Sequence, residues 1–508
     1  MIPVTISGMA DSPNKPDMLR VHPRDDVLVA LRDVQPGETV RAANEAIVAQ
    51  SFVPRGHKLA AAAISAGAPV LKYGWPIGRA TRAIEPGEHV HTHNLATALT
   101  AHEDYTYTPQ ATTPSSALTD TRTFLGYLRR NGRVGTRNEL WVLCTVGCVA
   151  RTARRIAEIA GERLKGRVDG VHALTHPFGC SQLGADLMHT RLVLASLAAH
   201  PNAGGVLVVG LGCENNQLKA LLEAANLDPN RVRSFNAQAV DDEVEEGVRA
   251  LEELAELLEQ DKREPRPLAD LVVGLKCGGS DAFSGLTANP LVGRISTAIA
   301  QAGGTSILTE IPEIFGAERT LMARAADATV FNETARLVND FKHYFTSAGQ
   351  KVSENPSPGN QAGGITTLEE KSLGAVQKAG DAPLTQVLRY GERIQRPGLA
   401  LLEAPGNDAV SSTALSAAGA NVLLFTTGRG TPLGFPAPTL KISSNSPLAQ
   451  AKPRWIDFDA GLLLAGSGMD ELARELLELV IATASGRLTC AERNGEREVA
   501  IWKTGVTL

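Results

Sequence analysis

Aromatic residues are scarce: Phe, Tyr and Trp together make up 4% of the 508 residues. That argues against an aromatic-rich all-β sandwich, whereas abundant Ala, Gly, Leu and Val suit α/β layers. Cysteine is also sparse. The six thiols are too few for a disulfide scaffold, and no CxxC pair is present, so a closed structural zinc site is not expected. Long apolar runs are absent. None approaches the ~20 residues a membrane span needs, which excludes a membrane partner from the reading. Positive charge is not in excess: 50 Lys and Arg face 55 Asp and Glu, for a net charge of −5. A nucleic-acid footprint is therefore not expected. The first residues lack a basic stretch followed by an apolar one, so no export signal is read and a reducing, cytoplasmic setting is expected. No G-x-G-x-x-G opens a helix with an acidic residue about 20 positions on, which argues against a nucleotide-binding oxidoreductase. No internal repeat of fixed period is evident.

Hydrophobic residues make up 43% and charged residues 21%, ordinary for a globular chain. At roughly 100–200 residues per domain the length suggests two to four domains. Residues 1–95 read as a small β-rich domain, with short apolar runs such as Val27–Leu31 and Pro69–Leu71 broken by Pro36-Gly37, Gly56-His57 and Pro86-Gly87. Residues 96–123, rich in Thr, Ser and Pro, read as a linker. Alternating strand and helix patterns then indicate two α/β domains with largely parallel sheets, 124–265 and 266–508, divided at the charged segment Asp261–Pro267. The segment Asn355–Gly364 reads as a long functional loop.

Cys148, Cys180, Cys213 and Cys277 each follow a predicted strand and lie next to glycine. Ligand sites of open parallel sheets lie outside the carboxyl ends of the strands, so these junctions are candidate site elements. Glu214 follows Cys213, Asp281 lies just past Cys277, and Glu310, Asn407, Asp408 and Arg429 end further strands. In the small domain, alternation in a strand places His89, His91 and His93 on one face, suited to a transition metal or an anion. His57 and Lys58 add anion contacts. Arg137 with Asn138 and Arg429 are candidate carboxylate clamps.

Long blocks in matching order resemble the altronate/galactarate dehydratase family along nearly the whole chain. They include RGHK (Arg55–Lys58), KYGWPIG (Lys72–Gly78), GEHVHTHN (Gly87–Asn94) and NGRVGTRNELWVLCTVGCV (Asn131–Val149). Others are GCSQLG (Gly179–Gly184), CGGSDAFSGLTANP (Cys277–Pro290), LTEIPEIFGAE (Leu308–Glu318), NPSPGNQAGGITTLEEKSLG (Asn355–Gly374) and TTGRGTP (Thr426–Pro432). Gln361 stands where the family often has Lys, and Ala375 where it often has Cys. The resemblance implies an N-terminal β-clip domain of the SAF type before the two α/β domains. It implies a small sugar-acid substrate, with D-altronate losing water to give 2-dehydro-3-deoxy-D-gluconate in galacturonate breakdown, and galactarate or another sugar acid as the alternative substrate. A sugar-acid sensor is the non-enzyme alternative. A divalent metal is implied, Fe2+ first and Mn2+ second. Expected ligands come from His91, His93, Cys180, Cys213, Cys277 and Glu214, with an iron–sulfur cluster on strand-end thiolates as the alternative. His91, His93, Glu310 and Asp281 are the expected catalytic groups. His57, Lys58, Arg137, Asn138, Asn407, Asp408 and Arg429 are the expected substrate contacts. A homo-oligomer is expected.

Overall fold

The N-terminal unit is made of short strands joined by glycine turns. The computed structural model describes residues 16–42, 45–110 and 122–508. Met18–Leu19, Val27–Ala30, Lys58–Ala60 and His89–Val90 form one antiparallel sheet in that spatial order. Two hairpins flank it, Thr39–Ala42 with Glu45–Val48 and Pro69–Lys72 with Trp75–Ala80, the second extended by Leu95–Ala96. A repeat that is silent in the sequence shows in the hydrogen bonds. Gly37 N donates to Ala49 O as Gly67 N does to Ala80 O, and Gly56 N donates to Ala30 O as Gly87 N does to Ala60 O. All four glycines hold positive φ, which the turn demands and side chains resist.

The second unit is a four-stranded parallel sheet in the order Val171–Leu174, Glu139–Cys144, Ala203–Gly210, Val232–Asn236. Alternation along the strand Glu139–Cys144 builds two cores. Leu140, Val142 and Cys144 pack with the helices Ala150–Arg163 and Glu243–Leu258. Trp141 and Leu143 pack with the helix Gly184–Ala198 and with Ala414–Ala418 of the third unit. The charged segment at the expected boundary includes a strand: Glu264–Pro267 pairs antiparallel with Thr123–Leu128. Backbone pairing outweighs the segment's local polarity, and it ties the second and third units together. The expected linker is docked too over its described part. Ala98 N and Thr97 Oγ1 bind Glu369, Tyr105 Oη donates to Glu318 at 2.6 Å, and Tyr107 Oη donates to Ala325 O at 3.0 Å. Residues 111–121 of that segment lie outside the described residues.

The third unit is a seven-stranded, all-parallel sheet. Its order is Leu384–Leu388, Gly398–Leu402, Thr305–Leu308, Val272–Cys277, Val422–Thr427, Thr439–Ser443, Phe458–Asp459. The chain enters at Val272–Cys277, builds to one side, then returns to build the other. This strand order creates a topological switch point at the carboxyl ends of Val272–Cys277 and Val422–Thr427, where such sheets bind ligands. One continuous core joins Val27, Val29, Tyr73 and Val90 of the first unit to Leu286, Leu291 and Leu373 of the third. The small β-unit is thus a cap seated on the large sheet. No helix among the described residues is long and apolar enough to cross a membrane.

Candidate functional site

The switch point carries a buried polar network. Lys276, wholly buried in its strand, pairs with Glu310 and lies 2.9 Å from Asp408 Oδ1. Glu310 also accepts from Cys277 N and Lys378 Nζ, both at 3.0 Å. Burial alone would raise the Glu310 carboxyl; Lys276 and Lys378 hold it below the ordinary carboxylate range. Glu310 sits at φ +69, a left-handed backbone that non-glycine residues rarely adopt and that clusters at functional sites. Next to it, Cys277 Sγ lies 2.7 Å from Ser280 Oγ. Asp281 accepts from Ser284 Oγ and Ser444 Oγ at 2.9 and 2.8 Å and from Asn445 Nδ2 at 3.1 Å. Gly428 leaves room for this carboxylate: a Cβ there would meet Asp281 Cγ at 2.4 Å.

The segment Asn355–Gly364, expected as a loop, contains the short helix Pro358–Ala362, started by a Ser357–Asn360 capping box. It lies between the switch point and the cap. On the sheet side Asn360 Nδ2 donates to Ser280 O at 2.8 Å, Arg429 Nη1 to Gly359 O at 3.0 Å, and Ala282 N to Gly363 O at 2.9 Å. On the cap side His57 Nε2 donates to Ala362 O at 3.4 Å and Lys58 Nζ to Gly364 O at 2.8 Å.

Three imidazoles of the cap meet over this segment. One ring nitrogen each from His57, His89 and His91 lie within 4.8 Å of one another. A carbonyl can only accept, so His57 carries its proton on Nε2 toward Ala362 O, and its Nδ1 lone pair faces His89 Nε2 at 3.0 Å. His91 Nδ1 is held by Thr366 Oγ1 at 3.0 Å. Burial, reinforced by the neighbouring rings and Lys58, pushes His89 down to about 3 and His91 down to about 4. Burial likewise lowers His57. The rings are thus neutral at neutral pH, the form in which imidazole binds a metal, and contacts such as Thr366 fix ring orientation as metal sites require. This donor set fits a divalent transition metal.

The cap is pinned beside the trio by a buried charge triad. Glu370 accepts from Lys58 Nζ, Lys72 Nζ and Thr366 N, each at 2.8 Å. All three charged side chains are essentially inaccessible to solvent. Burial would raise the Glu370 carboxyl, but the two ammonium groups bring it down to about 2.

Several expected positions fall elsewhere. The strand carrying the histidines stops at Val90, because Asn94 folds the chain into a turn by accepting from His91 N at 2.9 Å. His93 is therefore exposed outside the trio, with its ring centroid 5.4 Å from that of His89. The mixed histidine–thiolate ligand set is not gathered at one point among the described residues. Cys180 and Cys213 follow strands of the second sheet, whereas Cys277 ends a strand of the third. Glu214 is engaged locally by Thr145 Oγ1 and by Leu211 N and Gly212 N. Arg137 clamps a carboxylate bidentately, but that carboxylate belongs to Glu492, at 2.8 and 3.0 Å; both side chains are buried. Asn138 is buried with it and donates to Leu258 O. Both precede the strand Glu139–Cys144, at the edge opposite the thiols. Asn407 caps the helix Asp408–Ala417 through Ala409 N and Val410 N. Lys276, Glu370, Lys378 and Thr366 were not singled out in the sequence. The available signal was a lysine inside an apolar strand, VVGLK, and paired charges in LEEKS, a segment buried throughout.

Comparison with known proteins follows these units closely. Three family models match in order: the altronate/galactarate dehydratase SAF domain at residues 16–98, the second domain of D-galactarate dehydratase/altronate hydrolase at 126–259, and the D-galactarate/altronate dehydratase C-terminal domain at 268–507. The altronate dehydratases of Escherichia coli (strain K12) and Bacillus subtilis (strain 168) are 49% and 50% identical to this chain, each over 96% of it and 99% of the relative. The galactarate dehydratase (L-threo-forming) of Escherichia coli is 33% identical over 92% of this chain and 93% of its own length. Near-complete coverage at such identity, with all three domains in register, makes this chain a member of the altronate/galactarate dehydratase family.

Proposed function

We infer that the chain is a hydro-lyase that converts D-altronate to 2-dehydro-3-deoxy-D-gluconate and water, a step of galacturonate breakdown. The two relatives at 49% and 50% identity carry that activity in their names, and the one at 33% carries the galactarate activity. The observation that carries the reading is the neutral trio His57, His89 and His91, held over the segment that joins the cap to the switch point.

Dehydration removes the proton on C2, next to the carboxylate, and expels the C3 hydroxyl. A divalent metal in the trio, Fe2+ first and Mn2+ second, would supply charge stabilisation worth several kcal/mol as C2 loses its proton. The chain's own groups do the rest. Arg429 is exposed, makes no ion pair among the described residues, and shares the Pro358–Ala362 helix with His57. The carbonyls that bind Arg429 and His57, Gly359 and Ala362, are about one helical turn apart. The sugar acid is placed along this helix, between the trio and the guanidinium. His93 is exposed at the rim. It takes the proton from C2 and returns it to the departing C3 hydroxyl, so one imidazole serves both transfers. The Lys276–Glu310–Asp408 network and Asp281 keep the strand ends and the helix in place.

A coupled assay for the 2-keto product across altronate, galactarate and mannonate tests the assignment. Turnover of altronate is expected, with loss of both bound metal and turnover in His89→Ala. Turnover of galactarate alone would overturn it.

A further inference from the structure

The thiols of the second sheet are not used by the site above. Cys148, Cys180 and Cys213 are all exposed, unlike Cys144, Cys277 and Cys490, which are buried. Each follows one of three adjacent strands, Glu139–Cys144, Val171–Leu174 and Ala203–Gly210, at the carboxyl edge. The three loops are stitched together. Gly147 N donates to Phe178 O at 2.8 Å, Asn216 N to Gly179 O at 2.9 Å, and Ser181 N to Asn215 Oδ1 at 2.8 Å. Gly179, at φ +102, lets the Cys180 loop lie against the first strand end, since a Cβ there would meet Thr145 O at 2.1 Å. Ser181 holds φ +57, strained for a side-chain-bearing residue, directly after Cys180.

Hydrogen-bond donors face this edge. A helix opens after each loop, at Ala150, Gly184 and Leu218, and brings its positive end to this edge. Gln238 Nε2 donates to Cys213 Sγ at 3.6 Å. The one carboxylate in these loops, Glu214, is turned onto Thr145 and backbone amides. The spacing bears on what binds. A single tetrahedral ion with metal–sulfur bonds of about 2.3 Å holds its sulfurs within about 4 Å of each other. The three Sγ atoms do not all lie within 4.8 Å. A polynuclear centre spans more.

We propose that Cys148, Cys180 and Cys213 hold an iron–sulfur cluster at the carboxyl edge of the four-stranded sheet. Three thiolates, each having given up its proton, ligate three irons of a four-iron cluster and leave the fourth open at the exposed edge. Cys277, on the other sheet, is not a ligand. This centre is separate from the histidine trio and does not rest on the reaction assigned there.

The test is reconstitution of the full chain under anaerobic conditions with ferrous and ferric iron and sulfide. Protein-bound iron, acid-labile sulfide and visible absorption are then measured after desalting. The native chain and Cys490→Ser are expected to retain iron and sulfide together with a broad visible band. Cys148→Ser, Cys180→Ser and Cys213→Ser are each expected to lose the sulfide and the band while keeping a native circular dichroism spectrum. Iron retained without sulfide, no iron retained by the native chain, or equal sulfide in the variant lacking all three thiols would overturn the proposal, and none of these outcomes touches the altronate assay.

Discussion

Replacing Glu370 by Gln should release the cap from the large sheet. The carboxylate is buried and neutralises two buried ammonium groups, Lys58 and Lys72, while also accepting from Thr366 N. Its fall from an ordinary 4.5 to about 2 corresponds to roughly 3 kcal/mol of preferential stabilisation of the charged form. Breaking a buried pair by removing one partner costs about 3–5 kcal/mol, since the other charge is left uncompensated. Both figures approach half of a typical domain stability of about 5–15 kcal/mol. The loss should be local, because the triad bridges residues 298 and 312 positions apart and little else of the cap is charged and buried. Urea unfolding followed by limited proteolysis should show an early transition in which residues 16–98 become cleavable before the sheets unfold. The double variant Glu370→Gln with Lys72→Met should recover part of the loss. A denaturation profile within about 0.5 kcal/mol of the native one, the ordinary scatter of surface substitutions, would show that the triad does not hold the cap.

Arg137→Met should destabilise the chain by up to about 3 kcal/mol, since Glu492 then keeps only Arg497 at 3.5 Å and Thr489 N at 2.8 Å, yet leave KM for altronate unchanged in the folded fraction; a raised KM at unchanged stability would instead make Arg137 a substrate contact. Gly428→Ala forces a Cβ to within 2.4 Å of Asp281 Cγ, and should lower kcat/KM by at least about tenfold with a melting shift of only a few degrees. His200 is buried against Trp141, and burial pushes it down to about 4. Its folded value lies below its unfolded one, so its contribution is complete above pH 6.5 and is lost as pH falls through about 4. Urea titrations at pH 7 and pH 4.5 should differ by up to about 3 kcal/mol from this group, less in His200→Gln; an equal acid loss in the variant would rule the histidine out as the cause.

Strand ends were readable because short β-branched and leucine runs stop at glycine, and a parallel sheet makes each such stop a candidate ligand contact. That logic placed Glu310, Asp281, Asp408 and Arg429 at one edge. It failed where a residue's partner lies far along the chain. Lys58 reads as a substrate contact until Glu370 is brought to it and to Lys72. Arg137 has the form of a carboxylate clamp and is one, but for Glu492, 355 positions away. His93 was misgrouped because alternation assumes a continuing strand, and the side chain of Asn94 ends it at Val90, three residues short of His93. His57 joined His89 and His91 only through sheet pairing of Lys58 with Val90, which no local pattern encodes. The segment Glu264–Pro267 reads as polar and proline-rich, and its pairing with Thr123–Leu128 is decided by the partner strand.

Anomalous diffraction from crystals of the chain grown with Mn2+ and altronate would locate the metal directly. One peak bonded to a nitrogen each of His57, His89 and His91, with the sugar acid reaching toward Arg429, is the expected result. Manganese bound elsewhere in a chain that turns over altronate, with the three imidazoles bare, would contradict it.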